Sequence, residues 1–212
     1  MNLSIVVSGT DTGIGKTVFS AGLVGLLDGV YWKVVQAGIG EETDSDVVRR
    51  LAGLPPDRVL PEAYRLLAPL SPHRAAEIDG VNIEVDNLSL PVSERPLVVE
   101  GAGGLLVPLD RRTLFVDVFA RWGAPVVLCA RTQLGTINHT LLSIEALRRR
   151  SVPLLGVAFI GDEMADTQQT ICRFAKAPML GRLPRLNPLT PQTLAIAMRA
   201  SFDPASFRGS VS

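Results

Sequence analysis

This chain has few of the residues that most often carry covalent or metal chemistry. Only two of its 212 residues are cysteine, Cys129 and Cys172, and neither belongs to a C-x-x-C pair. A chain of this size needs no disulfide framework. Cys129 lies in the apolar run Pro125-Val126-Val127-Leu128-Cys129-Ala130 and reads as a small buried hydrophobe. There are two histidines, His73 and His139, each read first as structural. Nothing nearby suggests a hydrolytic triad, and no Cys/His spacing suggests zinc. An excess of charge of either sign is also missing, because Lys plus Arg balances Asp plus Glu at 21 each. That leaves no basic field for nucleic acid or an anionic membrane, so partners must be read from specific sites. Met1-Asn2-Leu3-Ser4 carries no basic n-region, and the apolar stretch after it is too short for a signal peptide or a membrane span. A cytoplasmic enzyme is the expectation.

What is present is ordinary for a globular protein, 47% apolar and 20% charged residues. The length fits one domain over residues 1–212. Short apolar runs alternate with helical patterns. Strands are expected at Ile5–Val7, Val30–Val35, Leu97–Val99, Val126–Ala130, Leu154–Ile160 and Met179–Gly181. Helices are expected at Gly15–Leu27, Asp44–Ala52, from Ser71-Pro72, and at Arg112–Trp122, Thr136–Arg149, Ala165–Lys176 and Pro191–Ala200. The residues from Ala200 read as a frayed tail. Continuously apolar strands alternating with helices imply an α/β fold with a doubly wound, mainly parallel sheet buried on both faces. Such sheets bind ligands beyond the carboxyl ends of their strands. The segments Gly9–Thr17, Lys33–Gly38 and Glu100–Gly104 all fall there.

Gly9-Thr10-Asp11-Thr12-Gly13-Ile14-Gly15-Lys16-Thr17 follows a strand and opens a helix, the context a phosphate-binding loop requires. Small residues let backbone N–H groups converge on an anion at the positive end of a helix. Lys16 can reach the β- and γ-phosphates, and the Thr17 hydroxyl can ligate Mg²⁺. Five residues separate Gly9 from Gly15, one more than the usual spacing.

Two acids could complete a metal site. Glu100 directly follows Leu97-Val98-Val99, where a Walker-B-type carboxylate is expected; Asp46 is the second candidate. Asp46 reads equally as a helix-capping or first-turn acid. Lys33, at the end of an apolar strand, could snorkel to solvent or aim its charge at a substrate and a γ-phosphate.

Together these segments resemble the dethiobiotin synthetases. Gly9 to Thr12 with Gly15-Lys16-Thr17 is similar to that family's lengthened phosphate loop. Lys33-Val34-Val35-Gln36-Ala37-Gly38 stands for its Lys-Pro-Val-x-Ser/Ala-Gly, Ser45-Asp46 for its Ser-Asp, and Ser71-Pro72-His73 for its Ser-Pro-His. Glu100-Gly101-Ala102-Gly103-Gly104 and Leu134-Gly135-Thr136-Ile137-Asn138-His139 match without change or nearly so. The likeness runs in order from Leu3 to about Leu186.

The resemblance implies a homodimer, the co-substrate ATP, Mg²⁺, CO₂ drawn from bicarbonate, and 7,8-diaminononanoate. One amine forms a carbamate, ATP phosphorylates it, and the second amine closes a ureido ring and expels phosphate. By carry-over, Lys33 and Lys16 are catalytic. Thr17, Asp46 and Glu100 hold Mg²⁺, and Gly13, Ile14, Gly15, Lys16, Thr17 and Val18 hold the triphosphate. Thr12 and the turn of Gly101, Ala102, Gly103 and Gly104 approach carbamate and substrate. Leu134, Gly135 and Asn138 would meet the substrate carboxylate from the partner subunit. Gly161-Asp162 stands where relatives carry an adenine-reading Asn-Asp, and Pro184-Arg185-Leu186 matches another nucleotide-contacting segment. Three departures stand out: Val34 for proline, Ala37 for a common hydroxyl, and Gly161 for asparagine, the last of which leaves nucleotide selectivity open.

Other functions share parts of this pattern. A ParA- or MinD-like switch ATPase has the loop and sheet but a signature lysine early in the loop, where this chain has Thr10 to Thr12. An amidoligase of the cobyrinate type would need a glutaminase domain, for which there is no room. A nucleotide-binding module without activity is the plainest alternative.

Overall fold

In the computed structural model, which describes residues 3–40 and 42–208, β1 (Ser4–Gly9) lies at the heart of a seven-stranded sheet. The other strands of that sheet are β2 (Val30–Lys33), β4 (Val59–Leu60), β6 (Leu97–Gly104), β7 (Val126–Arg131), β8 (Leu154–Ile160) and β9 (Met179–Leu183). They pair in the order β4-β2-β6-β1-β7-β8-β9, all in parallel. A second, two-stranded parallel sheet joins β3 (Val35–Ala37) to β5 (Tyr64–Leu66). The helices are α1 (Lys16–Leu27), α2 (Asp44–Ala52), α3 (Pro72–Asp79), α4 (Phe115–Trp122), α5 (Thr136–Arg149), α6 (Ala165–Ala175) and α7 (Pro191–Ser201).

Strand side chains alternate between two cores, as a sheet covered on both faces requires. Val6, Trp32, Val99, Leu128 and Phe159 pack on one face with Phe115 and Phe119 of α4, Ile144 of α5 and Ile171 of α6. Ile5, Val7, Tyr31, Val98 and Cys129 pack on the other with Phe19 of α1, Val48 of α2 and Leu194 of α7. The expected doubly wound α/β fold is the fold observed. No helix among the described residues is long and apolar enough to cross a membrane.

Three expected elements differ, each for a local reason. The run Val30–Val35 divides after Lys33: the Val34 N–H donates to the Glu100 carbonyl at 3.2 Å, and β3 then pairs with β5. A proline at 34 could not make that bond. The helix expected from Arg112 begins at Phe115 because Asp110 Oδ1 accepts from the N–H groups of Arg112 and Thr113 at 2.7 and 2.6 Å. That side-chain turn competes with helix, and Asp117 then caps the Leu114 N–H at 2.9 Å.

The chain after Ala200 is not frayed as far as Arg208. Phe202 and Phe207 are buried and meet Phe19 with ring centroids 5.4 and 6.5 Å apart. The remainder of the expected tail, 209–212, lies outside the described residues.

Candidate active site

The phosphate loop leaves β1 at Gly9 and enters α1 at Lys16. Gly15 is the α1 N-cap in the left-handed region, at φ 99°, and a β-carbon there would meet Ile160 Cγ2 at 3.0 Å. Both the dihedral and the close approach call for glycine. No acid stands in the first turn of α1 and no side chain caps it, so its first N–H groups face the loop. Lys16 folds back over the loop, buried, and donates from Nζ to the Asp11 carbonyl at 2.7 Å. Burial lowers its pKa, only partly offset by Glu100.

Register brings the other charged groups to the same place. Glu100 of β6 pairs with Lys33 of β2 on one side and Val7 of β1 on the other. Beyond that point β1 advances two residues, to Gly9, while β6 advances four, to Gly104. This bulge lifts Gly101, Ala102 and Gly103 over the phosphate loop, where a β-carbon on Gly103 would lie 3.3 Å from Thr12 Oγ1.

Glu100 is wholly buried and Lys33 nearly so, at 0% and 3% exposure. Lys33 Nζ lies 3.0 Å from Glu100 Oε1, 2.6 Å from Asp44 Oδ2 and 3.1 Å from the Gly101 carbonyl. Thr17 Oγ1 spans the same two carboxylates, 2.9 Å from Asp44 Oδ1 and 3.0 Å from Glu100 Oε1. Burial alone would depress the Lys33 pKa, but the carboxylates of Glu100 and Asp44 outweigh it and raise it. Burial alone would raise the Asp44 pKa, but Lys33, the Thr17 hydroxyl and Lys16 together lower it. Tyr31 donates to Glu100 Oε2 at 3.0 Å, and burial with the adjacent Glu100 charge pushes its phenol well up.

Asp46 requires a correction. The acid that reaches Thr17 and Lys33 is Asp44, at the start of α2, whereas Asp46 closes a capping box with Thr43. Asp46 Oδ2 accepts from Thr43 N at 3.2 Å and from Thr43 Oγ1 at 2.6 Å, and its side chain is half exposed beside Arg49. Residues two apart on a helix point nearly opposite ways, so only one of the two acids can face the cleft. Gln36 helps choose it: its Oε1 accepts the Asp44 N–H at 3.2 Å.

A cleft of about 810 Å³ opens over this cluster. Of the residues singled out in sequence, Thr12, Gly13, Gly15, Lys16, Thr17, Val18, Lys33, Glu100, Ala102 and Gly103 line it. Asp44, Gln36, Ser71 and Pro72 line it too. Ile14 is buried in the core beneath the loop, and Gly104 is held in register with Gly9.

Gly161 directly follows β8, with its N–H on the Leu183 carbonyl and its carbonyl accepting from Arg182, both at 3.0 Å. It has φ 129°, and a β-carbon there would lie 2.5 Å from Thr132 Oγ1, so any larger side chain at this position is strained. Asp162 is exposed beside it. Pro184, Arg185 and Leu186 follow β9, with Leu186 packed on the core and Arg185 exposed. Leu134, Gly135 and Asn138 lie outside the cleft, exposed at the start of α5.

Chemically, the cluster gathers two ammonium groups, a helix N-terminus and three hard oxygen donors. Thr17, Asp44 and Glu100 are the kind of set a divalent cation accepts alongside phosphate oxygens and water. Such an arrangement can receive a polyphosphate and hold a second anion against its terminal phosphorus.

Comparison with known proteins agrees. The family model described as an AAA domain matches residues 4–193. The ATP-dependent dethiobiotin synthetase BioD of Rhodopseudomonas palustris strain TIE-1 is 63% identical over 209 residues, 99% of each chain. The protein of that name from Bradyrhizobium diazoefficiens is 60% identical over 208 residues, 98% of this chain and 99% of its own. Among solved structures, the MinC:MinD cell division protein complex of Aquifex aeolicus matches at TM-score 0.53 and 16% identity, covering 99% and 98% of the two chains. A ParA family ATPase from Chlorobium tepidum matches at TM-score 0.52 and 10% identity, covering 97% and 96%. At those identities the likeness is of fold alone. With relatives of such identity along its whole length, the chain belongs to the ATP-dependent dethiobiotin synthetase family.

Proposed function

We propose that this protein closes a cyclic urea on 7,8-diaminononanoate, using CO₂ and ATP, to give dethiobiotin, ADP and phosphate in biotin biosynthesis. The observation that carries the reading is the meeting of Lys16, Lys33, Thr17, Asp44 and Glu100 at the ends of β1, β2 and β6. One substrate amine adds to CO₂ and loses a proton, giving a carbamate. A carbamate oxygen attacks the γ-phosphorus, ADP leaves, and a carbamic–phosphoric anhydride forms. The second amine then attacks the carbonyl carbon and loses a proton, the C–O bond to phosphate breaks, and the ring closes with release of inorganic phosphate.

The barrier in this sequence is electrostatic, since a carbamate and a triphosphate repel. The phosphate loop and Lys16 hold the triphosphate. Lys33 lies between that loop and the Gly101–Gly103 bulge, where its charge serves both the carbamate and the γ-phosphate. Thr17, Asp44 and Glu100 fit Mg²⁺, which when bound there supplies further positive charge to the phosphates. Thr12 and Gly103 face the substrate side.

Leu134, Gly135 and Asn138 enter this reading from a second copy of the chain. Their exposure away from their own cleft, with Leu134 bare just before α5, supports a homodimer in which each copy completes the other's site. A cytoplasmic setting goes with ATP as co-substrate. A switch ATPase of the ParA or MinD kind shares the fold, but the full-length identity lies with the synthetases.

The test is phosphate release from purified protein with diaminononanoate and bicarbonate supplied singly and together. Release only with both is expected. Release stimulated equally by DNA or by a partner protein alone would overturn the reading.

A further inference from the structure

We propose that Tyr31 is a positioning residue that orients the Glu100 carboxylate for the divalent cation of the reaction, an inference that rests on the function proposed above. Glu100 has no exposure and two oxygens with different work. Its Oε1 accepts from Thr17 and Lys33, on the side that faces the phosphate loop. Its Oε2 accepts from the Tyr31 hydroxyl at 3.0 Å. A carboxylate bonded at one oxygen alone can rotate about its terminal torsion, which is broad and soft. Bonded at both, it is fixed in plane.

The sequence explains how a tyrosine reaches that oxygen. Tyr31 pairs with Val98 and Lys33 with Glu100, so residues 31 and 33 point to the same face of the sheet as residues 98 and 100. Tyr31 lies along that face in the core beneath α1 and α2, with Val7, Val48 and Leu51 around it. Its ring is wholly buried, and its hydroxyl extends two pair positions along the strands to Glu100. A buried phenol requires a partner, and here the partner is a group aimed into the cleft. Residues that fix a ligand's orientation control metal affinity although they never touch the metal.

Tyr31→Phe keeps the ring and removes the hydrogen bond. The variant is expected to bind Mn²⁺ about 10–100-fold more weakly in the presence of a non-hydrolysable ATP analogue, read by electron paramagnetic resonance. The Mg²⁺ midpoint for phosphate release should rise in parallel, while kcat at saturating Mg²⁺ stays near that of the unaltered protein. A merely structural tyrosine would lower thermal stability and leave the Mn²⁺ titration alone, and that result would overturn the proposal. In a Glu100→Gln background, Tyr31→Phe should change Mn²⁺ binding no further; an undiminished effect there would also overturn it. The Mn²⁺ titration needs no turnover. A tyrosine effect on binding in a protein that fails to make dethiobiotin would sink the reaction and keep the positioning role.

Discussion

The Lys33 ammonium and the Asp44 carboxylate stand 2.6 Å apart, and their contact ties the end of β2 to the first turn of α2. Lys33 also balances Glu100, which has no exposure to water. Lys33→Met should therefore lower stability as well as activity. Removing one member of a buried ion pair leaves its partner uncompensated, a loss of about 3–5 kcal/mol. Turnover should fall about 10²–10³-fold, the scale of a lost preorganised charge. Urea unfolding and phosphate release check the two effects; unaltered kcat would remove Lys33 from the chemistry.

The C-terminal aromatic residues belong to the core. Phe207 is fully buried and packs with Phe19 and Phe202, on the face that also carries α1. Phe207→Ala should cost about 3–5 kcal/mol, seen as a lower urea midpoint with an unchanged slope. Deletion of residues 201–212 should destabilise more. Unfolding like that of the full chain would show that the segment contributes nothing.

Acid sensitivity should include one surface contribution. Arg111 binds Glu77 through two hydrogen bonds, at 2.6 and 2.8 Å, and Arg74 adds a third at 2.9 Å. These bonds lower the Glu77 pKa from its ordinary 4.5 to about 2. In the window between those values the unfolded chain binds the proton and the folded chain does not. The stability from Glu77 is thus complete above about pH 4.5 and drains as pH falls toward 2. It is small, because the pair is exposed. Glu77→Gln should flatten the stability curve in that window, measured by urea unfolding at stepped pH. An identical slope would contradict the assignment.

The two thiols should differ in reactivity. Cys129 is sealed in the sheet, and burial drives its pKa far above the thiol range. Cys172 is partly exposed, with a smaller rise from the same cause. A thiol reagent should modify Cys172 in the native protein and Cys129 only on unfolding, because the thiolate is the reacting form. Prompt labelling of both would mean that the sheet opens readily.

Much of this was legible in sequence, because the signals were local. The strand, glycine loop and helix from Ser4 to Leu27 follow from an apolar run, left-handed positions and a helical pattern. Lys33 and Glu100 sit at recognisable strand ends, and pairing in register brings them together. The choice between Asp44 and Asp46 was not legible. Both stand in the first turn of α2, and what separates them is Thr43, which claims Asp46 for the cap and leaves Asp44 turned toward Thr17. The Tyr31 hydroxyl was hidden for a similar reason, since a tyrosine in a strand reads as core until the neighbouring strand is placed. The tail misled because few of its residues are apolar, although Phe202 and Phe207 are enough to anchor it.

The direct test of the reaction centre is the Mg²⁺ dependence of dethiobiotin formation in Asp44→Asn and Asp46→Asn. With Asp44 turned into the cleft, Asp44→Asn should shift the Mg²⁺ midpoint upward by at least about tenfold. Asp46→Asn should leave that midpoint in place and cost only about 0.3–1 kcal/mol at the helix terminus. The reverse pattern, with Asp46 governing the metal and Asp44 silent, would contradict the geometry on which the mechanism stands.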